Sequence, residues 1–288
     1  MRRWRALAMA LLLAFVGGPA LAKPPMWVVR DKDSELILFG SVHLLPPGLD
    51  WKPEALTEAL PKAEDIWFEL PIDDIAEAEA ARLAGERGML PPNDNLWNHL
   101  SREQTERLKR VAARLSLSPA VLERMRPWLV EVTLAVVLDA RAGANIANGV
   151  EQQLQDQTPP TVTRRAFETP AEQIDLLAGA ATAAQVASLD QSMTEIEQQP
   201  DQFMLIIGDW MNGDMRSLQS RAVDPLKAAS PVVYDRLITQ RNRRWMRVIE
   251  RRLDGAGKTV VVVGVGHLVG EAGLPAMLRA RGYQVEGP

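Results

Sequence analysis

The chain has 288 residues, of which 33 are basic, 37 are acidic and none is cysteine. Without cysteine it can form neither disulfide bridges nor thiolate metal sites, and its acidic balance argues against nucleic acid as a partner. The length suffices for one large domain or two small ones, each with a normal hydrophobic core.

The first 22 residues follow the pattern of a secretory signal peptide. Three arginines precede an apolar run of about a dozen residues, and small residues follow up to Ala22. The run is shorter than the roughly 18 to 20 apolar residues that a membrane-spanning helix needs. We therefore predict that residues 1–22 are removed and that the mature chain, which begins near Lys23, is periplasmic or secreted. A retained N-terminal anchor is the alternative.

The mature chain is expected to be acidic and to have no membrane span. Loss of the first 22 residues leaves 30 basic and 37 acidic side chains, a net charge of −7. No later segment approaches the uninterrupted apolar length of a spanning helix. The expected partner is a peptide or another small molecule, and the sequence does not address the oligomeric state.

Short apolar segments rich in branched and aromatic residues indicate buried β-strands. Charged residues or turn signals bound each of them. The segments are residues 26–31, 35–43, 65–70, 258–267 and 282–286, with residues 161–165 as a weaker candidate.

Most of the remaining chain has helical character. Pro53 suits the first turn of a helix that ends near Ala63, and Ser101 with Gln104 forms a capping box for the next helix. Proline and glycine punctuate the later helical stretches. These stretches cover residues 119–143, 170–220 and 231–253.

Strands at both ends of the chain, with helices between them, predict an α/β fold. We expect a single domain over residues 23–288, with a mixed sheet that is built from N- and C-terminal strands and flanked by helices. A mainly helical insertion, about residues 95–255, separates the two sets of strands. An α+β arrangement is the alternative.

One short pattern occurs twice, near the two ends of the chain. Residues 37–45, "ILFGSVHLL", and residues 261–269, "VVVGVGHLV", both read as apolar strand, glycine, two residues, histidine and leucine. Since glycine makes up about 7% of residues, two of three histidines would share this spacing by chance in about 1.5% of chains. The pattern therefore singles out His43 and His267.

The repeated pattern predicts that the two histidines meet. Continuous apolar strands suit a sheet that is covered on both faces, and ligands bind such sheets beyond the carboxyl ends of the strands. Gly40 and Gly264 allow a bend or a close approach there, while His43 and His267 project from the strand ends. Glu69 ends the strand "DIWFEL" in the same way. We expect two imidazoles and one carboxylate on one rim of the sheet.

Two kinds of chemistry are open to such a set. Two histidines and one carboxylate without sulfur suit a divalent ion such as manganese, cobalt, zinc or iron, which would activate a bound water for hydrolysis. His43, Glu69 and His267 are the predicted ligands. The same groups could also act without metal, as a general base and a general acid. The sequence does not decide between the two.

Structural roles are the competing interpretation for single residues. A histidine after a buried strand is often an ordinary hydrogen-bonded residue. Glu69 alone could cap or salt-bridge the helix that follows Pro71. His99 lies just before the predicted capping box, and we expect it to be structural.

These motifs resemble the TraB/PrgY/GumN family, which is related to the Tiki metalloproteases and more distantly to erythromycin esterase and ChaN-like proteins. The resemblance covers essentially the whole mature chain and is most specific over residues 260–285. It implies an α/β fold whose terminal strands complete one core, with the two Gly-x-x-His motifs and a glutamate as the active centre. Tiki proteins are membrane-tethered, whereas no anchor is expected here.

Family members tend to have a tyrosine and an Arg-Asn pair in the helix before the last strand, and the resemblance assigns these positions to Tyr234, Arg241 and Asn242. Periodicity places Arg241 on an otherwise apolar helical stripe. The stripe consists of Tyr234, Ile238, Arg241, Trp245 and Ile249.

A buried arginine requires an anionic partner, which Glu69 or a substrate carboxylate would supply. The alternative for Arg241 is a solvated basic face. Glu168 matches a further recurrent family position, where helix capping and chemistry are both open. The other members of the basic face would be Arg243, Arg244, Arg247 and Arg251.

The sequence supports three functional hypotheses. The first is a periplasmic or secreted metal-dependent hydrolase of peptidase type, with a centre of two histidines and one glutamate. The second is a non-catalytic protein of the cell envelope that binds a peptide, a signal or a polysaccharide fragment. The third is a metal-free esterase that depends on His43.

Overall fold

The computed structural model describes residues 23–288, so the predicted signal peptide lies outside the described residues. Its centre is a six-stranded mixed sheet in the order β4-β3-β5-β2-β1-β6. The strands are β1 (Met26–Arg30), β2 (Ser34–Ser41), β3 (Asp65–Phe68), β4 (Thr163–Ala166), β5 (Gly257–Gly264) and β6 (Gln284–Glu286).

The sheet combines parallel and antiparallel pairs. β5 lies between β2 and β3 and is parallel to both, and β3 is also parallel to β4. β1 is antiparallel to β2 and to β6. The predicted α/β fold with a mixed sheet from both ends of the chain is therefore confirmed. The middle of the chain also contributes the edge strand β4.

Helices flank the sheet and make up most of the middle of the chain. None of the helices within residues 23–288 combines the length and the apolar character needed to cross a membrane. The helices are α1 (Glu54–Ala59), α2 (Asp74–Gly88), α3 (Arg102–Arg114), α4 (Pro119–Leu122), α5 (Pro127–Arg141), α6 (Val150–Gln157), α7 (Pro170–Ala178), α8 (Thr182–Gln198), α9 (Gln202–Met211), α10 (Met215–Leu218), α11 (Asp224–Ala229), α12 (Pro231–Tyr234), α13 (Gln240–Leu253) and α14 (Leu274–Ala280).

Two predicted helices differ in detail. Pro53 precedes α1 in an extended conformation, and a 3₁₀ turn continues that helix to Lys62. The predicted helix over residues 231–253 begins at Pro231, but a π-helical turn, Asp235–Thr239, separates α12 from α13. Such turns interrupt helices frequently at functional sites.

Each face of the sheet has its own apolar core. On one face, Trp245, Met246 and Ile249 of α13 pack against strand residues that include Leu38 and Val263. The opposite face forms a larger cluster that includes side chains of α1, α6 and α9. Because both faces are covered, the central strands are continuous apolar runs, as parallel strands require.

The middle of the chain has a separate helical core formed by α3, α5 and α8. The predicted capping box of Ser101 and Gln104 is present at the start of α3, with both reciprocal hydrogen bonds.

Asp139 on α5 is half-buried, and burial raises the pKa of its carboxyl to about 6.

We expect Asp139→Asn to stabilise the protein at pH 7 by about 1 kcal/mol, after allowance for partial exposure. Burial opposes the charged form of Asp139. The resulting loss of folding stability is present above the folded-state pKa and disappears below the unfolded-state pKa, which is near 4. Thermal melts at pH 7 and pH 4 measure this. Glu58→Gln, at an exposed position, is the control, and an equal gain at both pH values would contradict the prediction.

Candidate active site

Residues from four parallel strands meet at the carboxyl end of the sheet. His43 follows the end of β2 by two residues, Glu69 directly follows β3, and Glu168 follows β4 by two residues. His267 ends the 3₁₀ turn Val265–His267 that continues β5, so this strand is shorter than predicted. The structure thus places the predicted residues at the edge where ligands bind in parallel sheets.

Gly264 leaves room for the side chains of His43 and Glu69, which both lie close to its Cα. Its N–H donates to Glu69 Oε1 at 2.7 Å. A Cβ at this position would stand 3.2 Å from Glu69 Oε1 and 3.6 Å from His43 Nε2. Gly40 has a packing role instead, since its Cβ would stand 3.0 Å from the Val265 side chain.

His267 is buried, and both of its ring nitrogens are occupied. Asn242 Nδ2 donates to the carbonyls of His267 and Ala272, so the Asn242 Oδ1 that lies 2.7 Å from His267 Nδ1 must accept. The proton is therefore on Nδ1, and Nε2 accepts from Arg241 Nη1 at 3.0 Å. Burial, reinforced by the charge of Arg241, lowers the pKa of His267 to about 3, so the ring is neutral.

Arg241 is buried, as its position on the apolar stripe predicts, and Glu69 is one of its partners. Nη2 donates to Glu69 Oε2 at 2.5 Å and forms an ion pair with Glu168 Oε2 at 2.9 Å, and Nε donates to Glu168. Nη1 donates to His267 Nε2 and, at 3.3 Å, to the Leu237 carbonyl. Four of the five guanidinium hydrogens are thus hydrogen-bonded within residues 23–288, and the second hydrogen on Nη2 lies beside the Glu168 carboxylate.

Glu69 is held in its charged form. Burial opposes the charge, but Arg241, protonated His43 and the hydrogen bond from the Gly264 N–H hold the pKa of this carboxyl far below its usual range. Its Oε2 accepts from Arg241, whereas within residues 23–288 the only hydrogen-bond donor to Oε1 is the Gly264 N–H. Asp73, and not Glu69, caps the following helix.

Glu168 is a second buried carboxylate that sequence reasoning left without a clear role. The capping role at α7 belongs to its neighbour Thr169, so the capping interpretation of Glu168 is wrong. Besides Arg241, it accepts hydrogen bonds from Arg244 at 2.9 Å and from the indole of Trp245 at 3.1 Å.

His43 contrasts with the rest of the centre because its side chain is 60% exposed. Its Nδ1 lies 2.7 Å from Oε1 of Glu151, a residue in the first turn of α6. The Glu151 carboxylate raises the pKa of His43 to about 9, so the neutral ring that can accept a proton is the minor form at pH 7. Sequence reasoning missed Glu151, since an acidic residue in a first helical turn also complements the helix dipole.

Two further predicted residues lie apart from this centre. Tyr234 packs into the apolar cluster with Val265 and lines a cleft of about 780 Å³ with Lys227. Among residues 23–288, no hydrogen bond joins the Tyr234 side chain to His43, Glu69 or Arg241. His99 pairs with Asp94 at 2.8 Å in a short 3₁₀ turn, which is a structural role.

The guanidinium of Arg241 supplies the positive charge that the predicted metal ion would supply in this network. Of the three predicted metal ligands, His267 already uses Nε2 to accept from Arg241, and Glu69 uses one oxygen in the same way. Over residues 23–288, no three His, Cys, Asp or Glu side chains are arranged to hold a metal ion. The three ligands do not fit one ion in this arrangement, and the free groups are His43 Nε2 and Glu69 Oε1.

The chain belongs to the TraB/PrgY/gumN family, whose sequence profile matches residues 25–287. It is 25% identical over 272 residues to the uncharacterized protein YbaP of Escherichia coli K12. The aligned region covers 93% of this chain and 97% of that protein. It is also 25% identical over 246 residues to uncharacterized protein YbaP of Shigella flexneri, with coverage of 84% and 87%. No solved structure matches significantly.

We expect Arg241→Met to destabilise the protein by about 3–5 kcal/mol, because it leaves Glu69 and Glu168 buried without their main cation. The free energy of unfolding in urea measures this. Arg243→Met, an exposed position on the same helix, is the matched control. Equal unfolding midpoints for the two variants would contradict the structural role of Arg241.

Proposed function

We propose that this chain is a hydrolase that cleaves an ester or peptide bond with His43 and Glu69 as its reactive groups. The observation that supports this most directly is that the residues of the centre fall into two groups, one held by buried hydrogen bonds and one still able to contact a substrate. Arg241 and His267 are buried and hydrogen-bonded to their neighbours, whereas His43 Nε2 lies beside Gly264 and Glu69 Oε1 accepts only the Gly264 N–H within residues 23–288. A free imidazole edge beside a fixed carboxylate is an arrangement for proton transfer.

In the proposed reaction, His43 moves the proton. Hydrolysis of an acyl bond requires a group that takes a proton from the attacking water and a group that returns it to the leaving atom. His43 Nε2 performs both steps, while the Glu151 carboxylate stabilises the imidazolium formed in between. Glu69 Oε1 accepts a hydrogen bond from the water and orients it. Arg241, held by Glu168, fixes Glu69 in place.

The proposed location is the periplasm or the extracellular space. The signal-peptide pattern of residues 1–22 supports an exported chain. Peptides and esters of the cell envelope are then the substrate classes within reach.

A metal-dependent form of the same hydrolase is the second candidate. His267 Nε2 lies 3.7 Å from Glu69 Oε1, close to the roughly 3.4 Å between two ligands of a tetrahedral zinc ion. Manganese, cobalt, zinc or iron held by His43, Glu69 and His267 would supply an activated water. This candidate requires Arg241 to release His267, and no step of the reaction proposed above depends on it.

We expect the protein to hydrolyse members of a panel of p-nitrophenyl esters and fluorescein-labelled casein, and His43→Ala to lower kcat by about 100-fold or more. His99→Ala, which changes a histidine outside the centre, should retain the activity. Ligand that is bound and recovered intact from the wild type would instead support the non-catalytic binding hypothesis.

Gly264→Ala offers an independent test of the same centre. Its backbone φ of −48° suits alanine, but the new Cβ would enter the space between Glu69 Oε1 and His43 Nε2. We expect a nearly unchanged melting temperature with loss of hydrolysis. Full activity in Gly264→Ala would show that the reaction takes place elsewhere.

Metal analysis separates the two candidates. We expect untagged protein, purified without chelators, to contain less than about 0.1 equivalent of divalent metal, since Arg241 already neutralises Glu69. Chelator should then leave hydrolysis unchanged. About one equivalent of metal that is lost in both His43→Ala and His267→Ala would establish the metal-dependent form.

A further inference from the structure

The N-terminus of α6 is docked directly on the chain segment that carries His43. A Cβ at Gly149 would stand only 2.0 Å from the His43 carbonyl oxygen. The φ of Gly149 is −59°, so the requirement for glycine comes from this contact and not from the backbone conformation. In addition, the Val150 N–H donates to the Val42 carbonyl at 3.2 Å. The helical middle region therefore contacts the reaction centre through α6.

Glu151 uses one carboxylate oxygen for two contacts in the centre. Its Oε1 accepts from Ser41 Oγ at 2.5 Å and lies 2.7 Å from His43 Nδ1. Ser41 is itself buried at the end of β2. Oε2 is buried and has no hydrogen-bond partner within residues 23–288. The side chain is thus held with Oε1 towards His43, although its other oxygen is left without a donor.

This contact determines which nitrogen of neutral His43 carries the proton. An ionised carboxylate only accepts hydrogen bonds, so a carboxylate oxygen 2.7 Å from Nδ1 favours the tautomer with the proton on Nδ1. The lone pair is then on Nε2, which lies 3.6 Å from the position of a Cβ at Gly264. A histidine whose second nitrogen is fixed in this way has a defined ring orientation.

We propose that Glu151 is the positioning residue of His43: through Oε1, which Ser41 holds in place, it fixes the imidazole as the Nδ1–H tautomer with Nε2 directed at Glu69. The proposal rests on the hydrolase function in assigning a use to this tautomer. It makes the reaction centre composite, with His43 and Glu69 from the sheet and Glu151 from the helical middle region. A surface ion pair would provide neither a fixed tautomer nor a fixed ring direction.

The test is ¹⁵N NMR of protein labelled at histidine, at a pH where the His43 ring is neutral. The chain has three histidines, so His99→Gln and His267→Gln assign the ring signals. We expect wild-type His43 to show a single Nδ1–H tautomer. Glu151→Gln should keep it, because an amide oxygen can also accept from Nδ1, whereas Glu151→Ala should produce a mixture that includes the Nε2–H form. Asp156→Ala, an exposed carboxylate on the same helix, is the matched control.

Two results would overturn the proposal: a mixed tautomer in the wild type, or an unchanged tautomer in Glu151→Ala. Neither depends on turnover, so failure of the positioning role is distinguishable from failure of the hydrolase function. With the ester panel, Glu151→Ala should lower kcat about 100-fold and Glu151→Gln about 10-fold, both with KM within about twofold of wild type. Equal kcat losses in the two variants would also contradict positioning.

Discussion

The buried guanidinium of Arg241 is the group on which the arrangement of the centre depends. It links carboxylates that follow two different strands, Glu69 and Glu168, and donates to the imidazole of His267. Both carboxylates are buried, and an unpaired buried charge costs several kcal/mol, so the site requires a cation between them. Arg241 therefore joins α13 to the ends of β3, β4 and β5 and fixes the direction of Glu69.

The centre consequently has a fixed interior and an accessible rim. His267 and Arg241 are buried and hydrogen-bonded to their neighbours, so they orient other groups and are shielded from a substrate. His43 is exposed and has one free nitrogen. This division favours proton transfer at His43 over binding of a substrate carboxylate by Arg241.

Sequence patterns predicted the members of the centre better than their pairings. The repeated glycine-histidine spacing indicated His43 and His267, and the end of an apolar strand indicated Glu69. Helical periodicity placed Arg241 on the buried face of α13, with Glu69 as a possible partner. Glu151 was missed because the contact between His43 and α6 spans more than 100 positions and leaves no local pattern. The roles of the predicted site residues in catalysis stay predictions.

The sequence by itself determined the sheet, because continuous apolar strands must be covered on both faces. It also determined which strand ends carry reactive side chains. Only the tertiary structure decided that Arg241 donates hydrogen bonds to both Glu69 and His267, and that α6 brings Glu151 to His43. The physical reason is that a hydrogen bond requires a donor–acceptor distance correct to a few tenths of an ångström and a nearly straight angle. Periodicity specifies the face on which a residue lies, whereas packing of distant segments selects its partner.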